Sequence, residues 1–140
     1  EKVPRLVYSE YCPWSLFDAN CGVTKSSYTH TGTVTAISSN SRTISADVFS
    51  SGSHDVGYFQ DGEINFTSGL NNGESRSMRV HSDGSVTVRL PFFKTISVND
   101  TFTVYAGCDK IGETCNDRFN NYINFLGFEH IPKPEDLYTP

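Results

Sequence analysis

The chain has 140 residues, of which 36% are hydrophobic and 19% are charged, and its formal net charge is −5 at pH 7. This composition fits one folded domain, residues 1–140, with a modest core, and it excludes a disordered chain. The acidic balance argues against a nucleic-acid partner, because phosphate binding needs a basic face. No apolar run approaches the roughly 20 residues of a membrane span, and no stretch has the pattern of a signal peptide.

The first zone of the chain, residues 1–25, holds the cysteine pair Cys12 and Cys21. Pro13 favours the first position of a helix, which predicts that Cys12 lies at a helix start. A straight helix would separate the two cysteines by roughly 13 Å. If both thiols serve one site, the segment must therefore bend, and residues 18–20 are the expected place.

The middle zone, residues 26–106, alternates apolar and polar residues with the period of two that is typical of β-strands. Asp61-Gly62 and Asp83-Gly84 are dipeptides that favour hairpin turns. The residues expected to face inward are Val34, Ala36, Ile44, Ala46, Val48, Met78, Val80, Val86, Val88, Leu90, Phe102 and Val104. This pattern predicts a mostly β fold, a small barrel or sandwich of at least six short antiparallel strands.

The last zone, residues 107–140, holds Cys108 and Cys115 and then changes to a helical period. Thr114 resembles the start of a capping box, and Gly127 fits a helix stop. One apolar stripe at helical spacing favours a short C-terminal helix here: Phe119, Tyr122, Ile123 and Leu126. The proline-rich tail, residues 131–140, is predicted to be extended and to form a partner-binding strip.

The four cysteines carry the most specific chemical signal, with eight residues inside the first pair and six inside the second. Two disulfides explain these spacings most simply, with three connectivities. Zinc fits less well, because zinc knuckles separate their cysteines by two to four residues. An iron–sulfur cluster and free thiols are the remaining alternatives. Thiolates at helix starts are stabilised by the helix dipole, which favours a metal at Cys12 and Cys115.

No other constellation in the sequence indicates chemistry. The histidines are scattered, and we interpret them as solvated or edge residues: His30, His54, His81 and His130. The sequence contains no nucleophile–base set and no phosphate-binding loop, so we expect no enzymatic activity. Asn65 and Asn99 begin triplets that match the N-glycosylation acceptor.

Two segments resemble a known family. The opening CPWSLFDANCGV, residues 12–23, and the run GCDKIGETCNDRFNNYINFLGFEHIP, residues 107–132, are similar to the start and end of the C-terminal domain of the siphophage tail-tip hub family. That family includes the bacteriophage lambda tail-tip protein L and the hub proteins of gene transfer agents. The resemblance covers residues 8–136. The closing motif matches at Cys108, Cys115, Phe119, Asn120, Asn124, Phe125, Gly127, Phe128, Ile131 and Pro132. Glu129 and Lys133 depart from the family's pattern.

The resemblance implies that the four cysteines ligate a [4Fe–4S] cluster that joins the N- and C-terminal segments, with zinc or two disulfides as alternatives. The implied ligands are Cys12, Cys21, Cys108 and Cys115. It also implies a structural tail-tip protein of the virion, assembled in the host cytoplasm and acting in tail assembly, host attachment and DNA delivery.

The partners that the resemblance implies are the distal tail protein, the central tip or fibre protein and the tape measure. It implies a homotrimer in the virion and a monomer for an isolated C-terminal domain. The alternative hypothesis is a secreted, disulfide-bonded β binding domain, which glycosylation at Asn65 would favour.

Overall fold

In a computed structural model of the protein, the structure describes residues 8–130, which belong to two compact units. The first, here the β unit, comprises Thr24–Asp109. The second, here the terminal unit, is formed by Glu1–Val23 and Lys110–Pro140. The predicted extended tail, residues 131–140, lies outside the described residues. The single-domain assignment stays a prediction.

The β unit contains seven antiparallel strands in the order β1-β7-β4-β5-β6-β3-β2. The strands are β1 (Thr29–Thr33), β2 (Ala36–Ile37), β3 (Thr43–Ser45), β4 (Glu63–Phe66), β5 (Ser75–Ser82), β6 (Ser85–Val88) and β7 (Thr101–Tyr105). Two 3₁₀ helices accompany them, Lys25–Tyr28 and Asp47–Phe49. The predicted mostly β fold with at least six short antiparallel strands is confirmed.

The sheet closes on itself at the link between β1 and β2. These strands stand at opposite ends of the strand order, yet only Val34 and Thr35 connect them. The backbone N–H of Val34 donates to Asp100 O on the β7 side, and that of Thr35 donates to Ser45 O of β3, each at 2.9 Å. Because a chain advances at most about 3.5 Å per residue, the two ends of the sheet must meet. The β unit is therefore a small closed barrel.

Aromatic side chains dominate the barrel core. The rings of Phe49 and Phe102 stack with centroids 5.5 Å apart, and Phe49 meets Phe59 edge to face at 5.4 Å. The buried core residues are Val34, Ile44, Ala46, Phe49, Phe59, Ile64, Phe66, Met78, Val86, Val88, Phe92, Ile96, Phe102 and Val104. Such packing is the main stabilising contribution in a domain of this size.

One predicted hairpin is confirmed and the other is not. Asp83-Gly84 turns between β5 and β6, where Gly84 has a φ of 76° and Ser82 pairs with Ser85. Asp61-Gly62 ends a run of turns instead, because residues 46–62 contain no strand that could pair with β4 across it. Asp61 nevertheless takes the left-handed conformation, with a φ of 62°, which aspartate tolerates better than most residues.

A β-bulge changes which residues of β5 face the core. Met78 pairs with Val88 and Val80 with Thr87, so Arg79 is an extra residue. A bulge of this kind reverses the alternation that follows it. Val80 is therefore exposed, contrary to the sequence prediction, and His81 is buried in its place.

Three further residues predicted to face inward do not lie in the buried core. Ala36 is exposed because the inside–outside alternation breaks at the link where the chain leaves β1 for β2. Val48 is only partly buried because a 3₁₀ helix replaces the expected strand continuation. Leu90 is exposed because β6 ends at Val88. The remaining predicted core residues are buried.

The terminal unit contains one α-helix, α1 (Gly112–Asp117), and a 3₁₀ helix, Tyr122–Asn124. The predicted short C-terminal helix is confirmed as α1, but it does not follow the apolar stripe at 119–126. Asn120 has a φ of 45°, a left-handed conformation that interrupts a helix. α1 starts earlier than predicted, with Ile111 and not Thr114 as its N-cap. In residues 8–130 no helix is long and apolar enough to cross a bilayer.

Candidate functional site

A tight bend places Cys21 in the terminal unit. The Asp18 carboxylate accepts hydrogen bonds from Ser15 N at 2.9 Å and Cys21 N at 2.6 Å. Gly22 N donates to Asp18 O at 2.9 Å, and Gly22 takes a φ of 72°. The bond from Cys21 is the main reason that the pKa of Asp18 lies below its ordinary value. The predicted bend at 18–20 is confirmed, whereas the helix expected after Pro13 is absent from residues 13–23.

Helix α1 places Cys115. The backbone N–H of Cys115 donates to Ile111 O at 3.1 Å, which closes the first turn of the helix. Cys115 and Cys21 are each 8% exposed, so both thiols lie away from bulk water. Burial is common for cysteines of any role, so their surroundings decide what the two can do.

Asn121 connects these two cysteines. Its Nδ2 donates to Cys21 O at 2.6 Å and lies 3.9 Å from Cys21 Sγ. Its backbone N–H donates to Cys115 O at 3.0 Å, and the Cys115 thiol donates to Asn121 O at 3.4 Å. One asparagine thus joins cysteines that lie 94 positions apart in the sequence. Nothing in the sequence marks Asn121 except that it follows Asn120 of the closing motif.

Cys12 is held by the segment that leads into α1. The backbone N–H of Cys12 donates to Lys110 O at 2.9 Å, and the Lys110 ammonium donates to Trp14 O. Lys110 has a φ of 70°. Cys108, two positions earlier in the sequence, belongs to the β unit and is partly buried. Three of the four predicted ligands therefore lie in the terminal unit.

The donor chemistry of this set suits a soft metal. All four cysteines are thiols, and thiolates bind iron–sulfur clusters and zinc. Among residues 8–130, however, no three histidine, cysteine or acidic side chains are placed to hold one metal ion. The structure brings Cys21 and Cys115 together through Asn121, and the complete four-cysteine set stays a prediction.

Three of the four histidines are less exposed than the sequence predicts. His81 is 2% exposed, and its Nε2 lies 3.1 Å from Phe49 O, so its interpretation as a surface residue is wrong. His30 and His54 are partly buried, with ring centroids 4.3 Å apart. His30 Nε2 lies 3.3 Å from the Tyr58 hydroxyl. Burial and the nearby His54 imidazole hold the pKa of His30 below its ordinary value of 6.5.

We expect the protein to lose stability as the pH falls from above 6.5 into the mildly acidic range. Because the pKa of His30 is lowered on folding, the unfolded chain binds more protons below pH 6.5. The stabilisation is therefore complete above that pH and is lost as the pH falls through 6.5 toward the folded-state pKa. Melting temperatures across this range measure the effect, and His30→Gln should flatten the curve.

His130→Gln is the matched control, because it removes an exposed histidine. Asp18 and Asp83 do not contribute to the change in stability over this range, since their pKa values lie below 3.8. The pKa of Tyr122 is raised above 10.0 and lies beyond its upper end. An equal slope for wild type and His30→Gln would contradict the assignment to His30.

Comparison with known proteins gives the family. The family described as Phage conserved hypothetical protein BR0599 matches residues 57–135, more than half of the chain. The chain belongs to this phage protein family. The BR0599 match includes β4 to β7, α1 and both Cys108 and Cys115. Cys12 and Cys21 precede the matched stretch.

Comparison with solved structures supports the fold. The chain is similar to one from a structure titled "Virion of native gene transfer agent (GTA) particle", with a TM-score of 0.75 and 22% sequence identity. The similarity covers 100% of this chain and 49% of that chain, so this BR0599 member spans about half the length of its structural neighbour. No curated protein sequence matches the chain.

Proposed function

We propose that this protein is a non-enzymatic structural component of a phage virion, situated at the tail tip. The observation that carries the proposal is the fold similarity to a chain of a gene transfer agent virion, which extends over the whole chain. Membership in a phage protein family supports it independently of the fold. The finer placement at the tail tip rests on the two cysteine-containing end motifs.

The second part of the proposal is that Cys12, Cys21, Cys108 and Cys115 hold a [4Fe–4S] cluster. The all-thiol donor set supports it, as does the link that Asn121 makes between Cys21 and Cys115. Such a group would supply a covalent cross-link between the start and the end of the chain. Closing so long a loop restricts the unfolded chain and so stabilises the fold, as a disulfide would.

The surface of the terminal unit supports a role in assembly. Ile123 is 93% exposed and Tyr8 70%, and the Tyr8 ring meets Phe128 edge to face at 4.7 Å. Single exposed apolar side chains are ordinary, whereas adjacent ones such as the Tyr8–Phe128 pair are the kind of surface that forms protein contacts. The proposed neighbours are the distal tail protein, the central tip or fibre protein and the tape measure, with three copies of this chain around the tail axis.

The alternative, a secreted disulfide-bonded binding domain, is less well supported. Asn65 lies in β4, which pairs with β5 on one side and β7 on the other. Its Oδ1 is buried and has no hydrogen-bond partner among the described residues. A glycan at Asn65 would need this amide to reach the surface. The acceptor triplet at Asn65 is therefore better explained as part of a strand sequence.

One experiment tests both parts of the proposal. Particles of the phage that encodes this chain, purified without oxygen, are expected to contain the protein in a multiple of three copies. They should also contain about four irons per copy. Quantitative mass spectrometry and elemental analysis of the same particles measure the two values. Particles that carry Cys115→Ser are the control for iron bound at this site.

The two parts can fail separately. If purified particles lack the protein, the virion role is wrong. If the protein is present in normal amount without iron, the virion role stands and the cluster is wrong. Hydrolysis of peptidoglycan or polysaccharide by the purified chain would contradict the non-enzymatic role.

A further inference from the structure

We infer that Asn121 is a positioning residue that holds Cys21 and Cys115 together as a preformed pair of ligands. The inference deepens the proposed function, on which it rests, because it gives Asn121 a role toward the proposed metal site. It differs from a purely structural role in one respect. Asn121 contacts the sulfur-bearing residues themselves, at both backbone and side chain.

Each polar atom of Asn121 has a partner in the terminal unit. Its Oδ1 accepts from Asn124 Nδ2 at 2.7 Å, which fixes the orientation of the amide. With Oδ1 so engaged, Nδ2 is directed at Cys21, where it donates to the carbonyl at 2.6 Å. The backbone N–H of Asn121 donates to Cys115 O, and its backbone O accepts from the Cys115 thiol and from Asn124 N at 3.0 Å. The side chain therefore serves one cysteine and the backbone the other.

The contacts of Asn121 are unequal toward the two sulfurs. The Cys115 thiol is a donor to Asn121 O, whereas Cys21 Sγ lies near an N–H donor at 3.9 Å. Binding of a metal to thiols releases their protons. The Cys115 donor is then lost, while the Nδ2–H beside Cys21 remains available to a negative sulfur. Hydrogen bonds of this type orient metal ligands and tune their basicity.

The two substitutions that separate these contributions are Asn121→Ala and Asn121→Asp. Alanine removes the side chain and keeps the backbone bonds to Cys115. Aspartate keeps the shape and the acceptor for Asn124, but it replaces the donor to Cys21 by a carboxylate oxygen. Asn116→Ala is the control, because Asn116 is exposed and its side-chain Nδ2 donates to the neighbouring Asp117 Oδ1 at 2.8 Å.

The first measurement uses the metal-free protein and does not depend on iron. Alkylation of each cysteine by iodoacetamide is followed by mass spectrometry. Both Asn121 variants are expected to raise the rate at Cys21 about tenfold, because local opening then exposes the thiol. Rates at Cys12 and Cys108 should stay within about twofold of wild type, and Asn116→Ala should change none of them.

The second measurement follows iron in anaerobically reconstituted protein during exposure to a chelator. Loss of a residue that orients metal ligands typically weakens metal binding about 10- to 100-fold. Both Asn121 variants should therefore release iron at least about tenfold faster than wild type. Asn121→Asp should be the faster of the two, since it places a negative charge beside the sulfur of Cys21.

The outcomes separate this inference from the proposed function. Unchanged alkylation at Cys21 in both Asn121 variants overturns the inference, whatever the iron content. If wild type takes up no iron but both variants expose Cys21, the cluster is wrong, and Asn121 holds the two cysteines in place without serving a metal. Aspartate is isosteric with asparagine, so the alkylation rate at Cys21 in Asn121→Asp tests the inference even if Asn121→Ala fails to fold.

Discussion

Replacing Gly107 by alanine is expected to destabilise the β unit by about 3 kcal/mol or more. A Cβ at this position would overlap the backbone oxygen of Gln60. The neighbour is main chain and cannot rotate away as a side chain would. Gly107 is also fixed in place, because its N–H donates to Tyr58 O at 3.0 Å. Gly62 lies in the same crossing, where its own Cβ would overlap Tyr105 O.

Urea unfolding of Gly107→Ala measures this effect as a lower transition midpoint. Gly52→Ala is the matched control, since a Cβ at Gly52 would meet only Ser50 Oγ at an ordinary contact distance of 4.0 Å and Gly52 has no positive φ. Its midpoint should stay close to that of wild type. Equal midpoints for the two variants would show that the backbone oxygen of Gln60 leaves room for a Cβ at Gly107.

Replacing Phe49 by alanine should lower the free energy of unfolding by about 3–5 kcal/mol. The ring is fully buried, stacks on Phe102 and meets Phe59. Its loss opens a cavity between Phe102 of β7 and Phe59 of the turns that precede β4. The backbone oxygen of Phe49 also lies 3.1 Å from His81 Nε2, so movement of this segment would expose a buried polar contact.

Thermal and urea denaturation of Phe49→Ala test this expectation. Phe93→Ala is the control, because Phe93 is 90% exposed and its removal leaves no cavity. We expect that control to change stability by about 1 kcal/mol at most. If Phe49→Ala is no more damaging than Phe93→Ala, the aromatic stack does not stabilise the barrel core.

The alternation of apolar and polar residues and the turn dipeptides predicted most of the β unit. The alternation around Phe102 and Val104 gave the correct buried face, and Asp83-Gly84 gave a correct hairpin. The errors arise where one residue changes the register. Arg79 adds a residue to β5, so Val80 and His81 exchange faces. A bulge has no requirement for a special residue, so the period alone cannot reveal it.

The errors near the C-terminus have a different cause. The spacing of Phe119, Tyr122 and Ile123 is helical. Asn120, however, adopts a left-handed conformation, which the spacing of apolar residues cannot reveal. The cysteines were recognisable from sequence because their type and pairing are unusual. Asn121 was not, because its contacts join residues 94 positions apart and depend on the bend at Asp18. Tertiary hydrogen bonds of this kind follow from the fold and not from local pattern.

The link at Val34 and Thr35, where the two ends of the sheet meet, affects how copies of the protein can associate. In an open sheet, the outer strands offer rows of backbone N–H and C=O groups to which another chain can add a strand. Here the two terminal strands of the order are bonded through consecutive residues to Asp100 and Ser45. Where the two ends of the sheet meet, an incoming strand has less access to these groups than it has at an open edge. Association with neighbours then relies more on side chains, whose identities can specify the correct partner and reject others.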